Sequence, residues 1–266
     1  MELLAPSQWR CIDFISDLHL HESDPLTFAA WSQYLQHTTA DAVFILGDLF
    51  EAWIGDDCLS LGHRFEHDCV AVLRAAAGQR DLFIMQGNRD FLMGPALMSA
   101  CAARLLDDPT LMTFGDARWL LTHGDALCLA DTDYMAFRSL VRSTQWQRVF
   151  LDKPVHERME LARGMRAQSE ARKNMNEPYA DLDAAAVDTE LQHFTAQHMI
   201  HGHTHRPADH ALPHGRDRRV LSDWDLQAKP PRAEVLRLSL HAALQGGTTV
   251  RVERLTPATA QTRPTD

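Results

Sequence analysis

Apolar, β-prone runs ending in small or polar residues recur along the chain at Cys11–Ser16, Ala42–Gly47, Leu82–Gly87, Trp119–Thr122 and His198–Gly202. Each predicts a buried strand running into a loop. Asp24-Pro25 opens the stretch between the first two as an N-cap with proline at the first helical position, and Leu26, Ala29, Ala30, Tyr34 and Leu35 then form one helical face. His63–Ala77 is helix-like, with Gly78 placed to end it. Strand and helix alternate, so the pattern predicts an α/β fold with helices packed on sheet faces. Late in the chain the period changes. Glu234–Leu240 and Thr248–Leu255 alternate apolar with polar residues around Gly246-Gly247, which predicts a hairpin of half-solvated strands. Pro257–Asp266 is polar and reads as a frayed tail.

Tyr134–Lys173 departs from this pattern. It carries nine Lys/Arg (Arg138, Arg142, Arg148, Lys153, Arg158, Arg163, Arg166, Arg172, Lys173) against four acids, although the whole 266-residue chain is at −10. Phe137/Leu140/Val141 and Trp146/Val149/Phe150 each recur at i, i+3, i+4, predicting two short amphipathic helices in an insertion or lid. The net negative charge disfavours non-specific nucleic-acid binding. No window approaches the ~20 apolar residues of a spanning helix. Met1–Pro6 has an acid where a signal peptide has Lys or Arg, and five cysteines without a C-x-x-C pair fit a reducing compartment. A cytoplasmic protein is the expectation.

The chemistry lies in the short motifs at the ends of the five strands: Asp17-Leu18-His19, Gly47-Asp48, Gly87-Asn88, His123-Gly124-Asp125 and Gly202-His203-Thr204-His205. Singly, each reads as an ordinary turn. Jointly they stand at strand carboxyl ends, where open α/β sheets gather functional loops. They supply seven donors: Asp17, His19, Asp48, Asn88, His123, His203 and His205. Mixed imidazole and oxygen donors suit Mn, Fe, Co, Ni or Zn better than Ca or Mg. Seven are too many for one ion. With one bridging carboxylate they divide into Asp17, His19, Asp48 and His205 on one metal and Asp48, Asn88, His123 and His203 on the other. Such a pair activates water and neutralises a phosphorus centre under attack, so hydrolysis of a phosphate ester or anhydride is the natural consequence. Asp125 is expected to orient His123 through its second ring nitrogen.

These residues resemble the calcineurin-like metallophosphoesterase superfamily, whose motifs D-x-H, G-D, G-N-[HR]-[DE], H-G and G-H-x-H occur here in order between Phe14 and Arg206. The resemblance implies a β-sandwich core flanked by helices, with core segments at 11–130 and 181–256, a helical insertion at 131–180 and a flexible tail at 257–266. Longer strings, above all Leu46–Asp57, resemble the branch that cleaves the pyrophosphate of UDP-2,3-diacylglucosamine in lipid A synthesis. That branch implies two Mn²⁺ per chain, catalysis by Asp48, Asn88, Arg89, His123 and His203, and substrate contacts at Asn88, Arg89, Asp131, Ser169, Lys173, Asn176 and His203. The chain departs from many relatives in having Lys173 and Asn176 where they carry Asn and Lys, and Ser222-Asp223-Trp224 where Gly-Ala-Trp is common.

Arg89 has its own physical rationale. Many relatives place a histidine there as general acid, whereas a phosphate leaving group with a pKa of ≈ 6 departs unprotonated and a guanidinium can fork its oxygens. An ion pair with Asp90 or a neighbour is the structural alternative for Arg89, and an N-cap before Tyr134 is that for Asp131. The insertion's apolar residues Phe137, Leu140, Val141, Trp146, Val149 and Phe150 would line an acyl slot, and its basic outer face would sit on the cytoplasmic side of the inner membrane as a peripheral anchor. No obligate protein partner is expected. Another phosphodiesterase or phosphatase of the same superfamily, and a non-catalytic scaffold, remain alternatives.

Overall fold

The computed structural model describes residues 1–61, 64–173, 181–242 and 248–262, with side chains throughout except at 64 and 167–173. Two six-stranded sheets face each other. The first runs β12 (Thr248–Leu255), β11 (Val235–Ala242), β2 (Cys11–Ile15), β3 (Ala42–Leu46), β4 (Asp81–Met85), β5 (Arg104–Leu106); the second runs β1 (Glu2–Leu4), β6 (Thr110–Phe114), β7 (Ala117–Thr122), β8 (His198–His201), β10 (Asp217–Val220), β9 (Ala208–Ala211). β2 to β5 are parallel, as are β7, β8 and β10.

The near-continuous apolar runs are explained by burial on both faces. Ile12, Phe14, Phe44, Leu46, Phe83 and Met85 point between the sheets, where Phe44 stacks on Phe83 at 4.5 Å and on Phe14 at 5.0 Å. Their neighbours Cys11, Ile15, Val43, Ile45, Leu82 and Ile84 face α1 (Pro25–His37), α2 (Arg64–Ala77) and α3 (Pro95–Cys101). On the far side α7 (Ala184–His193) covers the second sheet through Val187 and Leu191. The result is a helix–sheet–sheet–helix sandwich. Asp24 caps α1 by accepting the Thr27 N–H at 3.1 Å, with Pro25 at the first helical position. β11 and β12 pair antiparallel from Val235↔Leu255 to Ala242↔Thr248.

Among the described residues the segment expected as an insertion holds three helices rather than two: α4 (Thr132–Val141), α5 (Thr144–Leu151) and α6 (Val155–Lys173). Its six apolar residues do not share one open slot. Val141 and Phe150 are buried in the core, Trp146 stacks on Phe150 at 4.7 Å, and Phe137, Leu140 and Val149 are exposed. An i, i+3, i+4 stripe seats the helix on its own domain before it offers anything to a ligand. Nor is the positive charge all outward. Arg138 reaches Asp125, Arg158 Asp57 and Arg166 Glu51, carboxylates that compensate their guanidinium charge, while Arg142 donates to the Gly87 carbonyl.

The tail is docked as far as residue 262. Ala260 is fully buried, its carbonyl accepts from Arg237 Nη2 at 2.7 Å, and the Thr262 carbonyl accepts from Arg237 Nη1 at 3.1 Å. A single small side chain and two carbonyls suffice to hold a polar segment. Composition does not register such an anchor.

Candidate functional site

All five strand-end loops meet at one rim of the sandwich. Backbone bonds lace them together: Asp17 N–H to the Gly47 carbonyl at 3.1 Å, His19 N–H to the Asp48 carbonyl at 3.0 Å, and Gly202 N–H to the His123 carbonyl at 3.1 Å. Asp17 also stitches the two sheets, its carboxylate accepting the His203 N–H at 2.9 Å and the Ser16 hydroxyl at 2.5 Å. The local backbone is strained. Among the described residues eight non-glycine positions have positive φ, and five of them are Asp17, His19, Asp48, His203 and His205. Each costs on the order of 1 kcal/mol or more, and strain of this kind persists where packing imposes it for function. Close approach does the rest: a Cβ on Gly87 would collide with the Asp48 carboxylate, and one on Gly202 with Asp17 and Ser16.

The seven donors form a continuous set. His19 Nε2 lies 3.2 Å from His205 Nε2, and His205 Nε2 lies 3.3 Å from Asp17 Oδ1. On the other side His123 Nε2 and His203 Nδ1 converge on Asn88 Oδ1 at 2.9 and 2.8 Å. Asp48 spans the two halves, with Oδ2 3.8 Å from His19 Nδ1 and Oδ1 3.7 Å from His123 Nε2. Among the described residues two triads have their ligand atoms within 4.8 Å of one another, Asp17–His19–His205 and Asp17–Asp48–His123.

The residues fit a pair of divalent cations. His123 Nδ1 donates to the Leu46 carbonyl at 2.9 Å, leaving Nε2 as the nitrogen aimed at Asn88 and Asp48. Lone pairs facing one another at this range need a cation between them, a proton or a metal. The buried carboxylates supply the matching charge. Burial pushes the His123 imidazole down, yet Asp48, Asp17 and Asp125 overcome it and raise it to about 9. Burial, and then the His123 charge, pushes His203 down to about 3, while burial pushes Asp48 above its ordinary value. His205 and then His123 and His19 hold Asp17 well below the usual range against its burial.

Other sequence expectations fare differently. Asp125 does not orient His123: the Leu46 carbonyl does, and Asp125 accepts the Tyr134 hydroxyl at 2.5 Å and Arg138 Nε at 2.8 Å. A backbone carbonyl at the end of β3, in the facing sheet, already satisfies the imidazole, which frees the carboxylate to hold α4. Arg89 pairs with Glu51 at 2.5 Å and not with Asp90. Asp90 turns inward to accept the Gly87 N–H at 2.7 Å and the Phe50 N–H at 3.2 Å. Asp131 caps α4 by accepting the Tyr134 N–H at 2.9 Å. Ser169 and Lys173 fall on α6, but their side chains lie outside the described residues, as does Asn176 altogether.

The calcineurin-like phosphoesterase family matches residues 12–207. The chain is a calcineurin-like phosphoesterase. Among the curated relatives of this phosphoesterase is the UDP-2,3-diacylglucosamine hydrolase of Aromatoleum aromaticum, 43% identical over 79% of this chain and 88% of that one. The proteins of that name from Chromobacterium violaceum and Bordetella pertussis are 44% and 41% identical, over 80% and 82% of this chain and 90% and 87% of theirs.

Two residues of the site carry no motif of their own in the sequence. Glu51 sits inside the Leu46–Asp57 string but matches no ligand pattern, and Tyr134 reads as a helix residue although its ring lies 5.9 Å from that of His203. Glu51 comes into view through its contacts with Arg89 and His19, and Tyr134 only through the folding of α4 over the rim.

Proposed function

We propose that this phosphoesterase hydrolyses the pyrophosphate bond of UDP-2,3-diacylglucosamine, releasing UMP and 2,3-diacylglucosamine 1-phosphate, with two Mn²⁺ as cofactors. The observation that carries the reading is the convergence of seven donors from five loops with Asp48 between the two halves. The shared name of relatives above 40% identity directs it to this substrate. One ion would be held by Asp17, His19, Asp48 and His205, the other by Asp48, Asn88, His123 and His203. Ions so bound supply an activated water and neutralise phosphoryl oxygens.

The chain's own residues do the remaining work. Arg89, with Nε 3.5 Å from Asp48 Oδ2, presents a guanidinium beside the centre to fork phosphoryl oxygens. Asn88 and His203 bracket the same phosphorus, and Asp131, Ser169, Lys173 and Asn176 bind the sugar and lipid phosphate. Attack at the uridine-side phosphorus breaks its bond to the bridging oxygen. The lipid phosphate then leaves without a proton, because its second pKa is ≈ 6, so an arginine that cannot donate one suffices.

The chain acts at the cytoplasmic face of the inner membrane as a peripheral protein, without nucleic acid or an obligate protein partner. Support comes from Leu129, Phe137, Leu140, Val149, Leu151 and Leu161, exposed apolar residues on or beside the insertion. Among the described residues no helix is long and apolar enough to cross a membrane. Mass spectrometry of products from UDP-2,3-diacylglucosamine and Mn²⁺ tests the activity, with UMP and the lipid monophosphate expected. Asp48→Ala and His203→Ala should each lower turnover by several orders of magnitude in a folded protein. Near wild-type turnover in either variant refutes the site.

A further inference from the structure

Glu51 is one of the side chains at which the helical segment meets the rim that carries the seven donors. Glu51 lies in the loop after β3, three residues beyond Asp48, and its backbone is pinned by donation to the Leu20 carbonyl at 3.2 Å. Its Oε2 accepts from Arg89 Nη1 at 2.5 Å, and its Oε1 pairs with Arg166 Nη2 of α6. Arg166 is doubly held, since Nη1 also donates to the Glu51 carbonyl oxygen at 2.9 Å. All three side chains are largely buried, at 20%, 16% and 24% exposure for Glu51, Arg89 and Arg166.

A free arginine samples many rotamers, and ordering it costs about 2 kcal/mol. A carboxylate that engages one nitrogen of each guanidinium meets that cost during folding. It also offsets the mutual repulsion of neighbouring guanidinium groups and holds their N–H donors beside the centre, where Arg89 Nε lies 3.5 Å from Asp48 Oδ2. An incoming diphosphate needs such a surface: donors already oriented and partly shielded from water. Because Arg166 comes from α6 and Arg89 from the loop after β4, the same carboxylate sets the register of the insertion over the rim.

We propose that Glu51 is a positioning residue which clamps Arg89 and Arg166 side by side, so that the helical insertion and the centre present one phosphate-binding face. The proposal rests on the diphosphate-cleaving reading above. In the full-length Mn²⁺-loaded protein, Glu51→Gln should raise KM for UDP-2,3-diacylglucosamine about tenfold while kcat stays within about threefold. Metal content should remain two per chain, and Glu51→Asp should recover most of the lost affinity. Arg166→Ala should raise KM in the same sense, and the Glu51→Gln/Arg166→Ala double variant should be no worse than Glu51→Gln, because residues acting as a unit are not additive. Fully additive effects, a fall in kcat with KM unchanged, or loss of bound metal in Glu51→Gln would each overturn the proposal. An active wild type with unchanged KM in Glu51→Gln overturns it alone. Absence of UMP from the wild type overturns the substrate reading and this proposal with it.

Discussion

Gly87→Ala isolates the demand that the site makes on backbone approach. Gly87 is buried at the end of β4, and its φ lies outside the left-handed region, so an added methyl brings no intrinsic backbone strain. It brings a collision. A Cβ there would stand 2.8 Å from Asp48 Cγ and closer still to Oδ1 and to the backbone nitrogen, whereas ordinary contact begins at 3.4 Å. The Asp48 carboxylate, or the turn that carries Asn88, must therefore retreat by about 1 Å, and a displacement of that size in a catalytic constellation costs roughly 10²-fold in rate. Overpacking of a tight site adds about 1–3 kcal/mol of destabilisation, a fall of about 2–10 °C in Tm for a chain of this size. The assay combines UMP release, metal content by mass spectrometry and thermal melting. Gly164→Ala on α6 is the matched control, because nothing lies within 4 Å of its added methyl; it should keep full activity and gain about 0.5–1 kcal/mol from helix propensity. Gly87→Ala with two metals bound and turnover within threefold of wild type would refute the claim that Asp48 and the Asn88 turn are held in contact to build the centre.

Further outcomes rest on the same geometry. Asp131→Asn retains an acceptor for the Tyr134 N–H and should keep Tm, while KM for the diacylated substrate rises several-fold; an unchanged KM would leave Asp131 as a helix cap and nothing more. Phe150→Glu buries a charge against Trp146 and should cost about 3 kcal/mol or more in melting experiments, whereas exposed Val149→Glu should leave Tm within a degree or two and weaken co-sedimentation with anionic vesicles. Equal effects of the two would contradict the division of the insertion into a core-facing and an exposed side. Dialysis against a chelator should abolish UMP release and added Mn²⁺ should restore it; activity persisting in excess chelator would remove the dimetal centre from the reaction.

The strands that carry the site were legible because their signal is local. An apolar run ending in Asp, His or Gly-Asn states both that a strand is buried and that its carboxyl end is polar, and β2, β3, β4, β7 and β8 lie where that pattern puts them. The seven donors could be named for the same reason. Strands such as β9 and β10 gave no such signal. β10 reads Asp-Arg-Arg-Val, and it is stabilised as a strand by pairing with β8 and by the Arg218–Asp181 contact at 2.8 Å across the fold. The insertion showed its helices through periodicity but not what its arginines face, since Arg138, Arg158 and Arg166 take partners 13 to 115 residues away.

Neighbouring residues alone therefore specify an inventory: buried strands, capped helices, and a set of imidazole and oxygen donors each within a few residues of a strand end. Packing of the sheets and the insertion selected the pairings that span the chain, such as Asp17 with His203 and Arg89 with Arg166 through Glu51, and with them which carboxylate orients which cation. Propensity and capping act over a turn or two of chain, so they are written in adjacent positions. A hydrogen bond between groups nearly two hundred positions apart exists only after two sheets have packed and closed the distance between them.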